Sequence, residues 1–233
     1  MDNLIKDPKM LGLTLLVGIL PSLFWLWFWL KEDKEKPEPS GLLTFCFIIG
    51  MTLVVLAIPI QKFIQGIVSD NQIQIVLWAS VEEFLKYFAV IILLSRTKYL
   101  DEPIDWPIFL ITVALGFAAF ENILFVIKPL SLNQATVGLM TGQLRFLGST
   151  LLHTVSSGLV GISAGLSFYM GRFAKKAYIF LGMILAIALH SGFNFFIMDN
   201  NGSDFLRVFA FLWVATIINL LLFEKLRRMS GEN

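Results

Sequence analysis

Seven stretches of about twenty predominantly apolar residues follow one another along this 233-residue chain, and that spacing admits few folds. About twenty such residues are what a helix needs to cross the ~30 Å hydrocarbon core of a bilayer. Backbone polar groups in lipid must also find partners within the segment, which favours helices. The stretches run approximately over residues 10–30, 41–60, 72–94, 107–127, 144–170, 177–198 and 205–223. They predict an all-α, polytopic transmembrane helical bundle of about seven spans (six to eight), a single integral membrane domain over residues 1–233. The first stretch has no small-residue cleavage site after it and reads as a retained span. Residues 128–143, with Pro129, Asn133, Gly138 and Gly142, leave three readings open: an outer loop, a short interfacial helix or a re-entrant piece.

Composition supports the same class. Hydrophobic residues make up 57% of the chain and charged residues 15%, with mean hydropathy +0.77, whereas soluble domains carry about 25% charged residues. A net charge of +1 gives no electrostatic basis for nucleic-acid binding. Cys46 is alone, which excludes an internal disulfide and a cysteine-based metal site.

Basic residues set the expected orientation. Lys31, Lys34, Lys36, Arg96, Lys98, Arg172, Lys175, Lys176, Lys225, Arg227 and Arg228 fall on one side, and Lys6, Lys9, Lys62, Lys128, Arg145 and Arg207 on the other. Eleven against six, by the positive-inside rule, puts the C-terminus in the cytoplasm and the N-terminus outside a cell membrane. Trp25, Trp27, Trp29 and Trp106 are then expected as anchors at the cytoplasmic interface, and residues 31–39 as a solvated linker.

Six ionisable residues interrupt the apolar stretches: Glu82, Glu83, Lys86, Glu121, His153 and His190. A charge at mid-bilayer costs roughly 2.5–3.5 kcal/mol on insertion scales, so such residues are rare and functional by default. In the expected topology Glu82, Glu83, Glu121, His153 and His190 lie roughly 9–16 Å below the outer boundary, at 1.5 Å rise per residue. Scattered charges would not share a layer. At about 100° per residue, Lys86 falls between Glu82 and Glu83 on one helix face. His190 and Asn194 share a face, as do Thr150, His153 and Ser157. Gly158, Gly161 and Gly165 offer small surfaces for close helix packing.

Three carboxylates against one lysine leave two negative charges, of which Arg145 can offset one. A low-dielectric site holding that excess shares a proton between carboxyls or binds a divalent cation. Imidazoles with carboxylates suit zinc that keeps an open position for water. Each residue also has a plainer reading. Glu82 and Lys86 make an ion pair at helical spacing, Glu121 and Asn122 a polar helix contact, each histidine a packing residue, and Arg145 an interfacial one. Convergence at one depth is what sets the group apart from a coincidence of these.

The residues also carry an ordered set of motifs. Glu82-Glu83-Phe84-Leu85-Lys86 reads EExxK, and Gly116-Phe117-Ala118-Ala119-Phe120-Glu121-Asn122 reads GFxxxEN. Arg145 is followed eight residues later by His153, and His190-Ser191-Gly192-Phe193-Asn194 reads HxxxN. This order resembles the PrsW family of intramembrane proteases, distantly similar to the CAAX prenyl endopeptidases. The resemblance covers a core of about residues 72–198. It implies hydrolysis of single-pass membrane proteins near the extracytoplasmic side, an anti-sigma factor among them, in regulated proteolysis. It further implies Glu82 and Glu83 as the glutamate pair, one of them activating water. Glu121, His153 and His190 become metal ligands or partners of the attacked carbonyl, Asn194 a further ligand or oxyanion donor, and Lys86, Asn122 and Arg145 supporting residues. The implied partners are that substrate and the lipid bilayer.

Three other readings stand beside it. A proton- or ion-coupled transporter also buries Glu, Lys and His, but duplicated halves with matched broken helices are not visible here. A CAAX-type or bacteriocin-processing membrane protease is nearer in chemistry. A scaffold without activity is disfavoured because every residue of the motif set is present.

Overall fold

The computed structural model describes residues 8–31, 36–132, 134–199 and 205–231, with eight α-helices and no strand among them. They are α1 (Pro8–Leu30), α2 (Ser40–Ile67), α3 (Asn71–Leu94), α4 (Asp105–Ser131), α5 (Ala135–Leu147), α6 (Ser149–Leu166), α7 (Arg172–Asp199) and α8 (Phe205–Gly231). Residues 32–35 of the expected linker, Asn133, and Lys6 and Lys34 from the charge count lie outside the described residues.

Among the described residues six stretches are long and apolar enough to cross a membrane, one of them, Thr136–Leu166, running through α5 and α6 together. The helix α3 has 24 residues but carries Glu82, Glu83 and Lys86 at its middle, which lowers its apolar character. The bundle is thus the polytopic helical one expected, a multi-pass membrane protein.

Two elements differ from the sequence reading. The helices outrun their apolar stretches: α2 continues past Pro59 to Ile67, about two turns beyond Ile60, where the continuous apolar stretch ends. Hydropathy marks where lipid contact ends, not where backbone hydrogen bonding ends. Second, the expected single helix over 144–170 is broken at Gly148, and residues 135–147 form the short helix α5. Gly148 closes α5 by donating its N–H to Leu144 O. A Cβ there would stand 3.0 Å from the Phe193 ring and 3.1 Å from the Phe209 ring. The bare backbone lets both rings close over the joint.

At the start of α3, Asp70 Oδ1 accepts hydrogen bonds from the N–H groups of Gln72 and Ile73, both 2.9 Å. Such a cap is worth about 0.5–2 kcal/mol. The axis of the bundle is the first half of α4 with the residues leading into it: every residue from Pro103 to Ala119 is buried, as a segment that is apolar on nearly all sides must be. Its crossing with α2 is made by two glycines. A Cβ on Gly50 would overlap the carbonyl of Val113, and a Cβ on Gly116 would overlap that of Phe47. The glycines of α6 act as expected: Gly161 meets Pro107, Gly165 meets Pro103 and Leu226, and Gly158 faces Asn219 of α8.

The tryptophans depart from expectation. Trp27 is exposed and lies under Lys31 Nζ at 3.6 Å from its ring centroid. Trp25, Trp29 and Trp106 are buried in the bundle instead. Trp25 and Trp29, four residues apart, share the α1 face that meets α8. Trp29 packs on Phe223 at 5.2 Å between centroids, and Trp25 approaches Trp213 at 6.3 Å.

Gly50→Ala and Gly116→Ala are each expected to cost about 1–3 kcal/mol, the usual penalty of overpacking. Gly41→Ala, whose Cβ meets nothing within 4 Å, is expected not to destabilise. Thermal unfolding in detergent measures all three.

Candidate active site

On α3, Glu82, Glu83 and Lys86 occupy one buried face, with side-chain exposures of 7%, 0% and 0%. Glu83 is the most fully bonded of the three carboxylates. Its Oε1 accepts from Lys86 Nζ at 2.8 Å and pairs with His190 Nδ1 at 2.9 Å, while its Oε2 accepts from Ser157 Oγ at 2.7 Å. A charge taken out of water persists only when its lone pairs are filled in this way.

The contacts fix both imidazole tautomers. Lys86 Nζ lies 2.9 Å from His153 Nδ1, and an ammonium only donates, so Nδ1 accepts and the ring proton sits on Nε2. That Nε2–H donates to Glu121 Oε2 at 2.9 Å. His190 donates from Nδ1 to Glu83, which leaves its Nε2 lone pair free. Each histidine is thus oriented by a carboxylate through one nitrogen, the arrangement that holds metal-ligating histidines in place. The two rings stand edge to face, 5.0 Å between centroids.

Glu82 completes the centre. Its Oε1 accepts from Gln61 Nε2 of α2 at 2.9 Å. Its Oε2 is buried with no hydrogen-bond partner. That oxygen lies 3.6 Å from His190 Nε2, 3.9 Å from His153 Nδ1 and 3.9 Å from Lys86 Nζ. Glu82, His153 and His190 each offer one ligand atom, all within 4.8 Å of one another, a group of a size to hold a metal ion.

A second network lies toward α5. Arg145 donates to Glu121 Oε2 at 2.6 Å, to Asn122 Oδ1 at 2.6 Å and to Ser149 Oγ at 2.8 Å. Asn122 donates to Thr150 Oγ1 at 2.9 Å. Arg145 therefore belongs to the site's support, carried there by the short helix before the Gly148 break.

The residues singled out in the sequence mostly meet. Glu82, Glu83, Lys86, Glu121, Asn122, Arg145, His153 and His190 join one connected network. The expected ligand set of Glu121, His153 and His190 is arranged differently: Glu82 faces both imidazoles, and Glu121 stands behind His153, its carboxylate engaged by Arg145. Asn194 is half-buried one turn beyond His190, and its side chain has no hydrogen-bond partner among the described residues. Ser157 and Thr150 were visible as a polar stripe on α6 but not as partners of Glu83 and Asn122. Gln61 was missed because the apolar stretch that carries it ends at Ile60.

These features define a class: a multi-pass helical membrane protein with a buried carboxylate–imidazole centre. The profile of the family described as PrsW family intramembrane metalloprotease matches residues 38–222, and the chain belongs to that family. Among curated proteins it is similar to Protease PrsW of Geobacillus kaustophilus, 27% identical over 187 residues that cover 78% of each chain. It is likewise similar to Protease PrsW of Shouchella clausii, 29% identical over 223 residues covering 92% of this chain and 96% of the relative. Protease PrsW of Bacillus subtilis is 25% identical over 205 residues, 84% and 88% of the two chains. No solved structure matches this chain.

Arg145→Met is expected to destabilise by about 1.5–3 kcal/mol, the worth of hydrogen bonds to a charged group. The double variant with Glu121→Gln should recover part of that loss, since no carboxylate is then stranded. Urea unfolding of the purified variants tests this.

Proposed function

We propose that this chain is an endopeptidase that uses Glu82 to activate water against a peptide bond of a single-pass membrane protein. The observation that carries the reading is the bare, buried Oε2 of Glu82 facing the nitrogens of two oriented imidazoles. Amide hydrolysis needs an activated water, a donor for the departing amine and stabilisation of the oxyanion. A water beside Oε2 loses a proton to Glu82, and its oxygen attacks the scissile carbonyl carbon. The C–N bond breaks as Glu82 returns that proton to the leaving nitrogen. Asn194, whose amide has no hydrogen-bond partner among the described residues, supplies a donor to the oxyanion.

The donor set also fits a divalent metal. Two imidazole nitrogens and one carboxylate oxygen match zinc sites that keep a fourth position open. A metal held by Glu82, His153 and His190 would supply Lewis-acid polarisation and lower the pKa of water, and in that reading Glu82 acts by holding the metal rather than by taking the proton itself. His153 would first release its Nδ1 from Lys86, which keeps Glu83 as its partner. A second reading follows from that same contact: Lys86 is the resident cation, and the enzyme works by glutamate and imidazole alone. Counting Arg145, the network carries three carboxylates against two fixed cations, one net negative charge. That remaining charge favours the metal reading.

The substrate class rests on the family resemblance: an anchored protein such as an anti-sigma factor, cut near the extracytoplasmic side. The orientation with the N-terminus outside rests on the distribution of basic residues. Membership in the PrsW family supports a protease over an ion-coupled transporter.

Co-expression with a panel of tagged single-pass membrane proteins should yield a cleaved product with wild type. Glu82→Gln and His190→Ala should lose it by more than about 100-fold while remaining folded. Intact cleavage in both variants removes the proposal. Elemental analysis of detergent-purified protein separates the two mechanisms: about one zinc per chain, lost in His190→Ala, supports the metal, and none in active wild type supports glutamate alone. Reporter fusions should show the C-terminus cytoplasmic; a C-terminus outside overturns the orientation.

A further inference from the structure

We infer that Gln61, on a helix that carries no family motif, is a positioning residue that aims the carboxylate of Glu82. The inference rests on the proposed role of Glu82 and adds to it a means of orientation. A carboxylate on a free glutamate side chain rotates about its terminal bond, and either oxygen can face the imidazoles. Here one oxygen is held. Gln61 Nε2 donates to Oε1 at 2.9 Å, and this is the only hydrogen bond to the Glu82 carboxylate among the described residues. Lys86, the nearest other donor, stands 3.9 Å from Oε2 and gives its short contacts to Glu83 and His153. The Gln61 bond therefore decides which oxygen is left bare and which way it points.

Gln61 is itself anchored. Trp78 Nε1, one turn before Glu82 on α3, donates to the Gln61 carbonyl at 3.2 Å. Two bonds thus tie this one residue of α2 to one face of α3, one from the main chain and one from the side chain. An amide suits this position because it donates without adding charge. A lysine would form an ion pair with Glu82 and hold the proton-accepting group in the wrong partnership. Gln61 also lies two residues past Pro59 in the extension of α2 that hydropathy does not show. That extension is what brings Gln61 within reach of Glu82.

The test uses the full-length protein in detergent with the membrane-protein substrate that wild type cuts. Gln61→Met keeps length and loses the donor. Its kcat should fall about 10–100-fold, the usual effect of removing an outer hydrogen-bond partner, with KM within about twofold and the unfolding temperature unchanged. Trp78→Phe, which loosens Gln61 without removing its amide, should lower kcat several-fold in the same manner. An unchanged kcat in Gln61→Met overturns the inference, as does a rise in KM alone, which would make Gln61 a substrate contact. A parallel fall in kcat and unfolding temperature in both variants also overturns it, in favour of a purely structural tie. Glu82→Gln is run beside them: if it retains activity, the protease reading of Glu82 fails, whereas an inactive Glu82→Gln with normal Gln61→Met removes the Gln61 inference alone.

Discussion

The three hydrogen bonds received by Glu83 hold this molecule's interior together. They come from its own helix through Lys86, from α6 through Ser157 and from α7 through His190. A carboxylate with no exposed surface in a bundle of apolar helices would otherwise be a large liability. Satisfied in this way, it requires three helices to keep one spatial relation. His190 cannot turn, because its Nδ1 is committed, and its other nitrogen therefore points at Glu82. Glu121 does the same for His153 from α4, and Arg145 steadies Glu121 in turn. Two carboxylates orient, and the third keeps one oxygen bare.

This division separates the adjacent glutamates. Residues 100° apart on one helix face different neighbours. Glu83 turns toward α6 and α7 and becomes fully bonded, while Glu82 turns toward α2 and keeps one oxygen bare. A paired motif of identical residues thus contains two different groups, and only their surroundings tell them apart.

Much of this was legible in the sequence. Apolar length gave the spans, because the bilayer sets that length, and the shared depth of Glu82, Glu121, His153 and His190 announced that they meet. Spacing on α3 placed Lys86 between the glutamates, and it does contact Glu83 closely and Glu82 more distantly. Three things were not legible, each for a physical reason. Which carboxylate faces both imidazoles depends on helix rotation within the bundle, which periodicity does not fix, so Glu82 rather than Glu121 came forward. The break at Gly148 depends on Phe193 and Phe209, distant in sequence. Gln61 lay beyond the end of an apolar stretch, where composition stops reporting on helix length. The tryptophans misled for a related reason: an aromatic near a helix end suits the interface, but Trp29 found Phe223 instead.

The glycine crossing of α2 and α4 acts as a fulcrum. Gln61 lies eleven residues beyond Gly50, about 16 Å along the helix axis at 1.5 Å per residue. Glu121 lies only five residues beyond Gly116, so the two arms leave the pivot with unequal reach. At that radius a one-degree tilt of α2 swings the Gln61 amide by about 0.3 Å. A displacement near 1 Å can cost about a hundredfold in rate. A methyl group wedged into the crossing, far from any reacting atom, would therefore masquerade as an active-site lesion.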